Sequence, residues 1–462
     1  MHDERIYKIL KKTRILIMIN NRYKYILSMA LAAVLMVIMP KTANAADREH
    51  TLKVYNWADY IDESLLDEFE VWYKEQTGEE VEIIYQLFDI NEVMLAKIEK
   101  GHEDFDVVCP SEYIIDRMLA NDMILPINRD FGNTPDYIKY VSPYAQDQFA
   151  RLDKPGKRAA DYCVGYMWGT TGLLYNPKYV SDEEAESWTI IWNDRLEGKI
   201  LMKDAYRDIY GPMLMYARYT DILSGKVTRE QLMNDSSDEA IASVERLLKA
   251  AKKNIAGWEV DFGKEMMTKE KAYINVSWSG DAVWAIEEAA AVGIELRYKV
   301  PQEGSNVWFD GWVIPKYAVN TKAASYFINF MCKPENALRN MDEIGYVSVI
   351  ASPEVLEAKI DSTLEEYVDL SYFFGEHADS VPVDGIQYPD ISVVERAALM
   401  RDCGNRTKNM LEMWSRVKGD NLDVRGLVMT IVLFTALIAW VIYRKVKAYK
   451  KNNRRRKRKR RK

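Results

Sequence analysis

The chain has 462 residues, 48% of them hydrophobic and 29% charged, with a formal net charge of −7. Its length and apolar content suffice for two or three domains with real cores. They exclude a wholly disordered chain, a collagen-like repeat and a disulfide-stapled miniprotein.

The charge is spread unevenly. Residues 1–45 carry 8 basic and 2 acidic residues, and 444–462 carry 14 basic and none acidic. That leaves 41 basic against 68 acidic residues in 46–443, a net −27. An acidic body argues against nucleic acid as its partner; a solvated surface and a cationic ligand both fit it.

At the N-terminus, basic residues run through Arg22 and Lys24, followed by an apolar stretch from Ile26 to Met39 and then Ala43-Asn44-Ala45. This pattern reads as a secretion signal over 1–45, with Ala46 as the mature start. Initiation at Met18 gives a more ordinary signal length. An uncleaved anchor helix is the other reading, for which the apolar run is short.

The body alternates between two periodicities. A β-type run at Leu52–Trp57 precedes a cap at Asp62-Glu63-Ser64. Leu65, Leu66, Phe69, Trp72 and Tyr73 then mark one helical face, closed by Gly78. A strand at Val81–Tyr85, a helix at Asn91–Lys100 ended by Gly101, and a strand at Phe105–Cys109 follow. This β-α-β-α-β order predicts a mostly parallel sheet with helices on its faces. Further strands are expected at Thr171–Tyr175, Ile200–Met202, Ile274–Trp278, Glu295–Val300 and Trp312–Ile314, and helices at Glu239–Lys252 and Lys322–Met331.

Ligands of open parallel sheets sit beyond the carboxyl ends of the strands. Those ends are expected at Tyr55-Asn56-Trp57-Ala58-Asp59-Tyr60, Pro110-Ser111-Glu112-Tyr113 and Trp168-Gly169-Thr170-Thr171. The others are Asp204-Ala205-Tyr206-Arg207-Asp208, Trp278-Ser279-Gly280-Asp281, Trp308-Phe309-Asp310-Gly311 and Ile344-Gly345-Tyr346. Any one of these aromatics fits a structural role. Together they describe aromatic walls with interspersed acids, which suits an alkyl chain bearing ammonium groups. A desolvated cation–ring contact contributes about 2 kcal/mol, and a charge-assisted hydrogen bond roughly 1.5–3 kcal/mol.

Leu427 to Tyr443 is an uncharged apolar run of 17 residues followed by the basic cluster 444–462. It reads as a transmembrane helix, slightly short, with Arg425 and Arg444 placed to snorkel and the C-terminus held in the cytoplasm. Cys109, Cys163, Cys332 and Cys403 have neither C-x-x-C nor metal-ligand spacing and read as buried apolar residues. None of the four histidines lies in H-E-x-x-H, and no phosphate loop or G-x-S-x-G elbow occurs. Acidic pairs alone do not exclude a glycosidase.

From about Leu52 to Lys418 the chain resembles the spermidine/putrescine-binding proteins that deliver polyamines to ABC importers. The segments that carry the resemblance, in order and spacing, are LKVYNWADYID, DFDVVCPSEYIIDRM, MWGTTGLLYN, WTIIWNDRLEGKILMKDAYRD, WSGD, WFDGWVIP and EIGY. The resemblance implies an α/β, two-lobed type II periplasmic-binding fold with two crossovers and an inter-lobe ligand cleft, spanning 46–419. Lobe 1 would hold about 46–169 and 309–354, and lobe 2 about 170–308 and 355–419. It further implies that Trp57, Tyr60, Tyr113, Trp278, Trp308 and Tyr346 box the polyamine chain. Asp59, Asp208, Asp281 and Asp310 would hold its amines, and Ser111 would be a polar contact from lobe 1.

There are departures from the pattern. Ala58 replaces a hydroxyl residue, Asp204 stands one position out of register, and a polar residue near the C-terminal end has no counterpart. No lipobox cysteine precedes Ala46. The implied protein is not an enzyme and needs no cofactor or metal. Its partners would be a polyamine, the permease subunits of an ABC importer and the inner membrane through the C-terminal helix, without nucleic acid. It would sit on the periplasmic face of the inner membrane. A receptor for another amine or small cation, and an extracytoplasmic sensor, are the alternatives.

Overall fold

The computed structural model describes residues 45–419 and Arg444. The expected signal (apart from Ala45), the apolar run 427–443 and the basic tail beyond Arg444 lie outside the described residues. Among the described residues no helix is long and apolar enough to cross a membrane.

Twelve strands form one connected sheet among the described residues. They are β1 (Thr51–Trp57), β2 (Glu82–Phe88), β3 (Val107–Val108), β4 (Ile124–Leu125), β5 (Cys163–Tyr175) and β6 (Ile200–Lys203). The others are β7 (Ile255–Glu259), β8 (Ile274–Trp278), β9 (Arg297–Lys299), β10 (Ser305–Pro315), β11 (Val347–Ser348) and β12 (Ala397–Ala398). The main order is β2-β1-β3-β10-β5-β8-β6-β7. β1 runs parallel to β2 and β3, and β6 runs parallel to β7 and β8. Between these two parallel groups lie β5 and β10, antiparallel to each other, with β10 antiparallel to β3 and β5 antiparallel to β8. The architecture is α/β and two-lobed, with two long strands passing through both parts.

The helical faces follow the sequence periodicity. Ser64–Thr77 buries Leu65, Phe69 and Tyr73, and ends at Gly78 in the left-handed region (φ 74°). Phe69 meets Phe327 and Phe330 of the helix Thr321–Met331 at ring separations of 5.2 and 5.5 Å. Cys109, Cys163 and Cys332 are buried and unpaired, as expected of small apolar residues, whereas Cys403 is only half-buried.

The largest departure from the sequence reading lies in the two long strands. Trp168-Gly169-Thr170 and Trp308-Phe309-Asp310-Gly311 are not strand ends; they lie inside β5 and β10. All residues of both strands are buried, so neither shows the alternation that marks a strand with one wet face. Trp168 is core filler, stacked on Phe309 and Phe373 at 5.8 and 5.3 Å. Gly169 permits this crossing, because a Cβ there would stand 2.6 Å from the Trp308 ring.

The chain after residue 355 was expected to return to the second lobe. It first packs where Tyr144 lies, with Tyr372 edge-on to that ring at 5.1 Å and Phe373 on Trp168. It meets β10 at Ser305 and Asn306 through β12, then closes with the helix Thr407–Gly419.

Candidate functional site

A cavity of about 250 Å³ opens at the carboxyl ends of the parallel strands. All eleven residues singled out in the sequence line it: Trp57, Asp59, Tyr60, Ser111, Tyr113, Asp208, Trp278, Asp281, Trp308, Asp310 and Tyr346. Local structure explains the convergence. β1 ends at Trp57, Ser111 caps the helix Glu112–Ala120 after β3, and β8 ends at Trp278. Asp208 and Asp281 stand in the first turns of the helices Tyr206–Ala217 and Ser279–Ala291, where the helix dipole favours a negative charge. Tyr346 follows Gly345 (φ 77°), which ends the helix Pro334–Ile344.

Asp310 sits where the register of β10 against β5 shifts between Phe309 and Gly311. At this bulge the Asp310 backbone forms an isolated antiparallel bridge with Ser111. Ser111 Oγ donates to Asp310 Oδ1 at 2.7 Å, and the Tyr60 hydroxyl to Oδ2 at 2.8 Å. Burial raises the Asp310 pKa to about 7; the two hydrogen bonds oppose that rise, and the nearby Asp208 charge adds to it. Asp208 accepts from Asn306 Nδ2 at 2.7 Å, and burial holds its pKa above the ordinary value as well. Neither carboxylate has an ion-pair partner among the described residues.

The walls are aromatic. Tyr346 meets Tyr60 and Trp308 edge-on at 5.2 and 5.5 Å, and Trp57 tilts over Phe88 at 4.5 Å. The buried indole N–H groups of Trp57 and Trp308 have no acceptor among the described residues. Asp59 differs from the other acids: it is exposed, at a positive φ of 49°. Asp281 differs too, since it is already paired with Lys203 at 2.6 Å.

Several lining residues were given no binding role from the sequence. Glu92 accepts from the Tyr113 hydroxyl at 3.1 Å, and burial raises its pKa. It follows β2 by the same strand-end rule that found Ser111, so the signal was present. Arg207, buried behind Tyr113, donates to Asn234 Oδ1 and the Arg401 carbonyl. Met400, Trp414 and Lys418 come from the C-terminal return of the chain and had no motif to announce them. Asp204 is also in the lining, held by Trp414 Nε1 at 2.9 Å and paired with Lys418.

Residues 65–364 match the bacterial extracellular solute-binding protein family. The chain belongs to that family. The family is one of extracellular solute-binding proteins, not of enzymes. The chain is 26% identical over 384 residues to the spermidine/putrescine-binding periplasmic protein of Escherichia coli, covering 82% of this chain and 94% of that one. It is 27% identical over 334 residues to the putrescine-binding periplasmic protein PotF of Escherichia coli, covering 70% and 83%. Among solved structures it superposes on the spermidine/putrescine ABC transporter substrate-binding protein PotD of Streptococcus pneumoniae with a TM-score of 0.58. The identity there is 29%, covering 80% of this chain and 98% of that one. The motifs that carried the resemblance therefore pointed to the relatives that the comparisons find.

Proposed function

We propose that this solute-binding protein captures a polyamine of the putrescine/spermidine class outside the cytoplasm and delivers it to an ABC importer. The observation that carries the reading is the pair Asp310 and Asp208, two buried carboxylates without a cationic partner in a cavity walled by aromatic rings. An isolated buried carboxylate is costly. A polyammonium ion supplies the missing charge, and its methylenes fit the rings. The relatives named above are polyamine-binding proteins by description, which supports the same ligand class. Lobes of about 46–169 with 309–354, and 170–308 with 355–419, would close on the ligand about β5 and β10. Calorimetry on residues 46–419 should show one polyamine bound per chain, with compaction visible by small-angle scattering. Binding of neutral sugars and of no amine would overturn the reading.

Affinity should depend on pH through Asp310. Its unliganded pKa is about 7, whereas alkylammonium groups stay charged to about pH 10. The ligand binds the ionised carboxylate, so acidification from pH 8 to 6 should weaken binding about tenfold through this group alone. The sign is reversed for the unliganded fold. A carboxyl whose folded pKa is raised stabilises the fold below its unfolded pKa, near 3.9, and loses that contribution as pH rises through about 7. Calorimetry across this range should show the pH slope in the wild type and its loss in Asp310→Asn.

The apolar run 427–443 would tether the domain to the outer face of the inner membrane, with the 14 basic residues of 444–462 inside. Tethering raises the receptor's effective concentration near its permease. Deleting residues 420–462 should release a soluble domain that still binds polyamine. Protease applied to spheroplasts should remove the domain and spare a tag placed after Lys462; a digested tag would contradict this orientation.

A further inference from the structure

Three parallel strands end side by side beneath the Trp278 wall of the cavity. β6 ends at Lys203, β7 ends at Glu259, its register partner, and β8 ends at Trp278. The Lys203 side chain is only 1% exposed. Its Nζ donates to Asp281 Oδ2 at 2.6 Å and to the Val260 carbonyl, and it forms an ion pair with Glu259 Oε1 at 3.1 Å. It also lies 4.2 Å from the centroid of the Trp278 ring. An acid and a tryptophan face are what a ligand ammonium would seek, and here a residue of the chain already holds both.

The other oxygen of Asp281 accepts from the Tyr346 hydroxyl at 2.9 Å and has Lys264 Nζ at 4.0 Å. Two lysines thus face Asp281 and Glu259, and neither of these acids is left without a cation. Asp261 nearby is exposed at the rim. The opposite condition holds around Asp310 and Asp208, whose charges no lysine or arginine pairs. A covalently attached ammonium loses no translational freedom on docking, so a diffusing amine competes poorly for Asp281. Lys203 is itself costly to strip of its carboxylates once buried.

Building on the polyamine reading, we propose that Lys203 is a resident ammonium that fills one amine subsite and makes the receptor select diamines over triamines. A diamine places its two ammonium groups at Asp310 and Asp208, while Glu92 keeps the Tyr113 hydroxyl. The third ammonium of a triamine extended toward Asp281 meets Lys203 and Lys264, where it gives up hydration without gaining that carboxylate.

The test titrates the wild type and Lys203→Met with putrescine and spermidine by calorimetry. The wild type should bind putrescine more tightly. Lys203→Met should raise the spermidine-to-putrescine affinity ratio by about tenfold or more, the worth of one added charge-assisted contact. A wild type that prefers spermidine, with a ratio unmoved in the variant, overturns the proposal. If the wild type binds neither amine, the polyamine reading itself falls. A crystal structure of the wild type with putrescine decides the matter even if the variant does not fold. Lys203 should keep its contact with Asp281, with both ligand ammonium groups elsewhere; a ligand ammonium on Asp281 with Lys203 displaced refutes the proposal.

Discussion

Replacing Asp310 by asparagine should weaken polyamine binding by roughly 10- to 150-fold, while the unliganded protein melts no lower than the wild type. The loss corresponds to about 1.5–3 kcal/mol, the range for a hydrogen bond to a charged group. Asparagine keeps the shape of the side chain and can still accept from Ser111 or Tyr60, which hold the two carboxylate oxygens at 2.7 and 2.8 Å. What it removes is a buried charge with no partner, whose pKa of about 7 records the strain of ionising it there. Stability and affinity should therefore separate: calorimetry shows the loss, and thermal melts of the empty protein do not. Wild-type affinity in the variant would return Asp310 to a purely structural role.

A second large effect is expected at Gly280. A Cβ at this position would stand 2.3–2.6 Å from three atoms of the Tyr346 ring, closer than any packed pair tolerates. Gly280→Ala must therefore push Tyr346 away from Trp308 and Tyr60 and break its hydrogen bond to Asp281. Overpacking of this kind costs about 1–3 kcal/mol of stability, and loss of the ring should lower affinity by about tenfold or more. A double-mutant cycle separates the clash from other effects of the added methyl. In a Tyr346→Ala background Gly280→Ala should cost little further stability; an undiminished cost there would place the clash elsewhere.

Much of the fold was legible because its signals are local. Ile274–Trp278 is a strand as expected, and the helices Ser64–Thr77, Asp238–Ala251 and Thr321–Met331 differ from expectation by a residue or so. β3 shrank to two residues, and β9 is likewise shorter than the strand expected at Glu295–Val300. The long strands were truncated in the sequence reading, which placed Gly169 and Gly311 in strand-end motifs, and Gly165 lies in the part of β5 left out. In fact each lies where another side chain crosses the strand closely.

At the site, the eleven residues were found because aromatics and acids cluster at strand ends and in family motifs. Their charge state was not legible. Asp281 read as an amine-binding acid equal to Asp310, yet only the lateral packing of β6, β7 and β8 shows that Lys203 reaches it first. Nothing in the spacing of Lys203 and Asp281, 78 residues apart, announces that pairing. Asp59 likewise belongs to a motif but stands exposed at the rim.

Asp310 belongs to β10, one of the two strands that pass through both lobes. If the cleft opens and shuts about these strands, a side chain carried on the axle moves least while the bodies on either side swing. The acid then keeps one address throughout the cycle, open to solvent-borne cations before enclosure begins and after it ends. Capture and enclosure become successive events with different molecularity: a collision with a fixed carboxylate, whose rate grows with ligand concentration, then an isomerisation that does not. The same geometry orders departure, since the rings must part before the last ammonium can leave. Residence time is then set by how readily the rings separate, and selectivity at first encounter by a single charge.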